Sequence, residues 1–279
     1  MDYLYHYTSI ETLALILKNK TFCFNNLLNV DDSEEAETFD MGKFGRFVYV
    51  SCWTSDEQES IPLWNLYTPD MHGVRIRLPK FPFKKYSYKK NEYFFNQDVE
   101  TYINFEKMYN ENKVSIVATQ PKLIEIEYTN DIKKLYPKVR EVSSEEKFKQ
   151  YLNEGNIGSG KLDFSYSLEE IGRYKRKESS FQKEWRYIYS VMPMGLKESN
   201  PPTTEKQIEL IRRIENREYE PAYSRMFLDL DDSALESIEV LCGPRMSDAE
   251  KIIVKALLKE YCPNGEYKES RIKIKNSRK

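Results

Sequence analysis

The stretch Tyr3-Leu4-Tyr5-His6-Tyr7-Thr8-Ser9-Ile10-Glu11-Thr12-Leu13-Ala14-Leu15-Ile16-Leu17 opens this 279-residue chain and sets its architecture. Tyr3, Tyr5 and Tyr7 alternate with Leu4 and His6, the period of two of a β-strand, so His6 faces away from the tyrosines. Thr8 or Ser9 then offers a helix N-cap, with Glu11 or Thr12 in the first turn. Leu13, Ile16 and Leu17 share one helical face that would bury against a sheet. A strand that delivers a histidine into a helix start is a place where polar chemistry can be assembled. The plain alternative is a structural histidine hydrogen-bonded at a strand end.

Working outward, the sequence reads as a strand at Tyr3 to Tyr7, a helix from Ile10 to Lys18 and a short strand at Thr21 to Phe24 leading into an acidic loop. An alternating strand follows at Arg46 to Cys52, then a short helix Ile61 to Tyr67 with Pro62 in its first turn, and a strand Gly73 to Leu78. Beyond these lie a polar helix at Asp98 to Asn112, a strand at Lys122 to Tyr128, and helices at Ser144 to Asn153 and Leu168 to Lys177. An aromatic strand runs from Glu184 to Met192, a charged helix from Glu205 to Glu218, and short strands from Met226 to Leu230 and Ser237 to Cys242. The last element is a helix from Asp248 to Tyr261 with a Ser247/Glu250 capping box. Strands and helices mix without regular βαβ repeats, which predicts an α+β fold around a mixed or antiparallel sheet with surrounding helices.

Composition sets the limits. With 40% hydrophobic and 32% charged residues and a net charge of −2, the chain has the profile of an ordinary globular protein. No segment is apolar enough to span a membrane, and the start lacks the pattern of a secretory signal, so a cytoplasmic location is expected. The four cysteines, Cys23, Cys52, Cys242 and Cys262, are scattered and read as free thiols. Only two histidines, His6 and His72, leave no basis for a histidine-rich metal centre, so no metal is expected. No phosphate-binding glycine loop, Rossmann fingerprint or nucleophile elbow is present.

Charge is unevenly spread, acidic over Asp31 to Asp40 and basic over Lys80 to Lys90, Arg173 to Lys177 and Lys268 to Lys279. In the Lys80 to Lys90 stretch, Lys84 and Lys85 adjoin Tyr86 and Tyr88. Cations interleaved with aromatics suit phosphates and exposed bases, or else an edge strand whose rings pack inward.

The remaining chemistry lies in His6, in Ser51-Cys52-Trp53-Thr54, in Trp64 and Tyr67 on one helical face, and in Phe181-Gln182-Lys183-Glu184-Trp185-Arg186. In extended backbone Gln182 and Glu184 point to one side, bringing an amide and a carboxylate to a common ligand. This set resembles the ADP-ribosyltransferase superfamily. Tyr5-His6-Tyr7-Thr8 with the following helix looks like the opening of DarT-like nucleic-acid ADP-ribosyltransferases. His6-Tyr7-Thr8 parallels the His-Gly-Ser element of the poly(ADP-ribose) polymerase branch.

A broader resemblance is to an uncharacterised bacterial domain family found among phage-defence genes. Its pattern is matched by Tyr5 to Thr8, Asp31 to Glu35, Ser51 to Trp53, Trp64 to Tyr67, Gly73-Val74 and Gln182 to Arg186. The chain departs from that pattern with Asp31-Asp32-Ser33 for Asn-Asp-Pro, Trp53 for the second serine and Gln182 for the first glutamate.

The resemblance implies one ADP-ribosyltransferase-like domain over 1–279, with helical insertions at about 95–180 and a C-terminal helical extension at about 203–279. It implies NAD as co-substrate, Glu184 with Gln182 as the catalytic pair, and His6, Tyr7, Thr8 and Ser51 around the ribose and nicotinamide. Trp64 or Tyr67 would stack on the nicotinamide, and Arg75, Arg77 or Arg186 would meet the pyrophosphate. A toxin or phage-defence enzyme acting on RNA, DNA or protein, with an antitoxin partner, would fit. The alternatives are an NAD glycohydrolase and a non-catalytic nucleotide- or RNA-binding module.

Overall fold

The computed structural model describes residues 2–274, apart from 94, 112–114, 118, 157–158 and 218–222. Asn112, Glu218 and the last five residues of the basic C-terminal stretch lie outside the described residues.

The opening stretch forms β1 (Tyr3–Thr8) and α1 (Ile10–Asn19). Ser9, not Thr8, is the cap: its hydroxyl accepts the Thr12 N–H, which leaves Thr8 free at the strand end. Then come β2 (Thr21–Asn26), β3 (Val48–Thr54), α2 (Ile61–Tyr67) and β4 (Val74–Pro79). The sequence reading started β3 two residues early, because Phe44–Phe47 is a 3-10 turn.

The middle of the chain departs most from the expected helical insertions. It supplies β5 (Tyr86–Tyr88), β6 (Val99–Thr101), β7 (Ser115–Val117), β8 (Lys122–Glu125) and β9 (Glu127–Tyr128), then β10 (Arg140–Val142), β11 (Phe164–Tyr166) and β12 (Tyr174–Lys175). The expected helix at Asp98 to Asn112 is the strand β6 followed by a helix at Phe105–Glu111. The expected basic helix at Leu168 to Lys177 is broken by Gly172, whose φ of 78° lies in the left-handed region, and Leu168 and Ile171 fill a core instead of a helix face.

A long β13 (Glu184–Gly195) follows, then β14 (Arg225–Asp229), β15 (Glu239–Cys242) and β16 (Glu266–Glu269). The C-terminal region is therefore not a helical extension. It contributes three strands to the main sheet, beside the well-capped helix Asp248–Tyr261. That sheet has ten strands, in the order β14-β2-β3-β1-β4-β15-β16, with β13 on β3 and β7 and β8 on β13. Pairing is antiparallel except β15 with β16, so the fold is α+β around a mixed, largely antiparallel sheet.

One irregularity prepares the site. β13 pairs along β3 from Glu184↔Thr54 to Ser190↔Val48. The opposite edge of β3 is shared: β2 takes Tyr49 and Val50, and β1 takes only Thr54. Ser51, Cys52 and Trp53 face a notch where β1 and β2 diverge. On one face of the sheet Leu4, Phe22, Phe24, Trp53, Ile76 and Tyr187 form the main core with Leu13, Ile16 and Leu17 of α1. The other face carries two smaller apolar clusters, one around Phe44, Val50 and Ile188 and one under α2 around Tyr7, Leu63 and Trp64. Between those two clusters the same face carries charge. No described helix is long and apolar enough to cross a membrane.

Candidate functional site

A cavity of about 450 Å³ opens at the notch, a size typical of small-ligand sites. Of the sequence-predicted residues, His6, Tyr7, Thr8, Ser51, Tyr67, Gln182, Glu184 and Arg186 line it, and Trp64, Arg75 and Arg77 do not.

His6 bridges the split strands. Its Nδ1 donates to the Cys52 carbonyl at 2.8 Å, replacing a strand hydrogen bond that β1 no longer makes. Phe22 and Trp53 pack against the ring at 4.9 and 5.2 Å. Burial pushes its pKa down to about 4, outweighing the carbonyl. The imidazole is thus neutral, and with Nδ1 protonated, Nε2 is left as an acceptor for a ligand hydroxyl. His6 is structural through one nitrogen, and the residue lines the cavity.

Glu184 stands at the opposite wall as the first residue of β13. Its Oε1 accepts from Arg186 Nε at 2.5 Å and its Oε2 from Lys175 Nζ at 3.0 Å. Lys175 also donates to Gln182 Oε1 at 2.8 Å and pairs with Glu35 at 3.4 Å. Arg186 completes the ring through Glu35 and donates to the Gly172 carbonyl at 3.0 Å. Burial alone would raise the Glu184 carboxyl, but Arg186 and Lys175 overcome it and hold the group at about 2, so it is ionised. The Cys52 thiol lies beside Glu184 and helps hold its carboxyl down, so one residue of β3 bonds His6 through its carbonyl and neighbours Glu184 with its side chain.

Gln182 and Glu184 converge by a different route from the expected extended strand. Gln182 ends a 3-10 turn, and Lys183 adopts a left-handed conformation with φ 44° before β13 begins. The Thr54 hydroxyl holds the Lys183 carbonyl at 3.2 Å. A non-glycine residue kept in that region next to a charged cavity is a strained turn in the position where sites store strain. Gln182 Nε2 in turn donates to the Tyr67 hydroxyl at 3.1 Å, tying the end of α2 to the charged cluster.

Several expected roles are corrected by packing. Trp64 is fully buried under β1, edge-on to Tyr7 at 4.7 Å, with its indole N–H on Glu59, so Tyr67 is the α2 aromatic that faces the cavity. Arg75 lies over the Tyr5 ring at 4.5 Å and donates to the Glu57 carbonyl, and Arg77 pairs with Glu239 and Glu266. Neither guanidinium reaches a pyrophosphate in this cavity. Arg186 does line it, but two carboxylates and a carbonyl already occupy its donors. Tyr7 is held through its hydroxyl by the Ser60 N–H, and Ser51 accepts from the Trp53 indole at 3.0 Å.

The basic aromatic stretch takes the inward-packed form. Tyr88 is buried with its hydroxyl on the Phe105 N–H, and Tyr86 donates to Asp229 at 2.5 Å while Lys84 lies over its ring. Lys84 and Lys85 stay exposed, but Tyr86 and Tyr88 offer no stacking platform.

Four contributors escaped sequence reading. Lys175 sat inside an apparent basic helix, Glu35 inside an acidic run, and Cys52 inside a hydroxyl-rich segment. Arg225 opens a strand on the far edge. Glu35 and Cys52 carried a signal, as members of the Asp31 to Glu35 and Ser51 to Trp53 segments, and Lys175 and Arg225 carried none. No protein-family model matches the chain, and neither a curated protein nor a solved structure matches it.

Proposed function

We propose that this protein is an NAD-dependent ADP-ribosyltransferase, with the notch as its dinucleotide cleft and Glu184 as the catalytic carboxylate. The observation that carries the reading is that His6 and Glu184, far apart in the sequence, line one cavity and share Cys52 as neighbour.

In the reaction the bond between nicotinamide nitrogen and ribose C1′ breaks, the nitrogen keeps the electron pair, and C1′ becomes cation-like. An acceptor nucleophile then bonds to C1′ and loses its proton. An ionised carboxylate beside C1′ stabilises that charge and accepts the ribose 2′-hydroxyl. Glu184 is ionised, and each of its oxygens retains lone-pair capacity beyond its cation. Lys175 and Arg186 fix its orientation, Tyr67 presents a ring to the nicotinamide, and His6 Nε2 accepts a ribose hydroxyl. Thr8 and Ser51 supply hydroxyls around the ring. The charges near Tyr67 add to this: Glu35 and Glu184 are paired with Lys175 and Arg186, and Asp31 also lines the cavity, a further carboxylate for the pyridinium. The acceptor class we infer is nucleic acid or protein, in a toxin or antiviral setting with a neutralising partner.

The two ion pairs on Glu184 favour a second reading, a binding module that holds a nucleotide without breaking it. Incubation of labelled NAD with RNA, single-stranded DNA or cell lysate separates the two, using the parent and Glu184→Gln. Transfer by the parent and its fall by about a hundredfold to a thousandfold in the variant are expected, the scale of removing one electrostatic stabiliser being about 2.7–4 kcal/mol. Transfer that survives the substitution removes the catalytic role. Free ADP-ribose without transfer indicates a glycohydrolase, and intact NAD indicates the binding module. Growth arrest on expression, relieved by the same substitution, is the cellular counterpart.

A further inference from the structure

The charged residues lining the cavity are not symmetric along it. Lys175 and Arg186 are sealed in the ionic cluster beside Glu184. Arg225 is the remaining cation on the lining, and among the described residues no carboxylate pairs with it. It opens β14, whose partner β2 separates it from β3, so it stands two strand spacings, about 10 Å, from the notch. In register it lies opposite Asn25, and Phe227, two residues on, lies opposite Cys23, so both side chains share the face that carries Glu184.

Phe227 is 56% exposed and lines the cavity, as does Leu15 of α1 at 60%. Two large apolar side chains left exposed on the lining of a cleft, one from α1 and one from β14, suit contact with a flat ring. Asp31 also lines the cleft, but its charge acts on Tyr67, whose hydroxyl is pushed up by burial and then by Glu184, Cys52 and Asp31. The Glu184 cluster on β13 and Arg225 on β14 are separated by β3 and β2, so the sealed charges and the open cation occupy different ends.

We propose that the edge strand β14 is the adenosine-diphosphate subsite of this cleft, with Arg225 on the diphosphate and Phe227 and Leu15 on the adenine. The assignment rests on the dinucleotide reading and gives it a direction, pyridinium at the Tyr67 end and diphosphate at the β14 end. A guanidinium can grip phosphate oxygens in a two-pronged way, and an aromatic face accepts a base without reading its edges. Both residues are exposed on an edge strand, so their removal leaves the core intact.

Calorimetric titration of ADP and of adenosine into the parent, Arg225→Ala and Phe227→Ala tests the subsite. The parent is expected to bind ADP more tightly than adenosine. Arg225→Ala should weaken ADP about tenfold to a hundredfold and leave adenosine unchanged, as loss of a charge-assisted hydrogen bond predicts. Phe227→Ala should weaken both by about tenfold. ADP binding unchanged by Arg225→Ala overturns the assignment, as does a parent that does not distinguish ADP from adenosine. NAD consumption by the same proteins separates this inference from the one beneath it. A parent that consumes NAD while Arg225→Ala has an unchanged KM refutes the subsite alone. A parent that binds ADP through Arg225 but leaves NAD intact keeps the subsite and refutes the transferase.

Discussion

Replacing Glu184 with glutamine probes the cluster on which the site depends. Both carboxylate oxygens are held by cations, Arg186 Nε at 2.5 Å and Lys175 Nζ at 3.0 Å, in a fully enclosed setting. Glutamine keeps the shape but leaves two buried cations with Glu35 as their one remaining carboxylate, and removing one partner of a buried ionic set costs about 3–5 kcal/mol. The pH dependence is the sharper test. Against burial, Arg186 and Lys175 hold the carboxyl at about 2 in the fold, below its ordinary 4.5. Linkage converts that shift into about 3 kcal/mol of folding stability at neutral pH.

The sign follows from the direction of the shift. A carboxyl depressed in the fold stabilises above its unfolded value near 4.5 and loses that contribution as pH falls toward 2. At pH 3 about half of it remains. Equilibrium urea unfolding of the parent and Glu184→Gln at pH 7, 5 and 3 reads the difference. The gap between the two proteins is expected to narrow by about 2 kcal/mol between pH 7 and pH 3. A gap that stays constant over that range refutes the ionised, doubly paired carboxylate and with it the electrostatic basis of the proposed catalysis.

His6 titrates in a separate window. Its pKa falls from 6.5 to about 4 on burial, so the parent should lose about 3 kcal/mol between pH 7 and pH 4, a loss that His6→Gln escapes in the same unfolding assay. Equal acid sensitivity of the two proteins would show that the imidazole is not buried neutral. Trp64 and Tyr67 divide core from site. Trp64→Ala should lower stability by about 3–5 kcal/mol in thermal unfolding, and the milder Trp64→Phe should leave the KM for NAD unchanged. Tyr67→Ala should raise that KM with a smaller loss of stability, and the reverse pattern would return the nicotinamide contact to Trp64.

Reading from sequence succeeded where the determinants are local. The β1–α1 unit follows from alternating tyrosines, a Ser9 cap and a leucine-isoleucine face, all within a few residues. The same holds for α2 with Pro62 in its first turn and for the helix Asp248–Tyr261 with its reciprocal Ser247/Glu250 cap. It failed where a distant partner decides. Val99–Thr101 is a strand because Tyr86–Tyr88 pairs with it, and nothing in its own residues marks that pairing. Residues 168–177 carry charges at helical spacing, yet Gly172 breaks the run, and a 5% exposed Lys175 lies where a solvated lysine was expected.

Candidate site residues divide along the same line. His6, Gln182, Glu184 and Tyr67 could be picked out because their types and neighbours suggested a polar cleft. Which cations would be sealed against which acids could not, since Glu35, Lys175, Glu184 and Arg186 come from four separate segments. What the chain dictates by itself is its alternation, its caps and hence its class of fold, because those preferences act between residues a few positions apart. Only the assembled sheet decides that β1 and β2 part at β3, that Trp64 goes into the core while Tyr67 faces the cleft, and that Arg186 is consumed while Arg225 stays open. A side chain's charge and reach have consequences only once burial sets the local dielectric and long-range strand pairing supplies the partner.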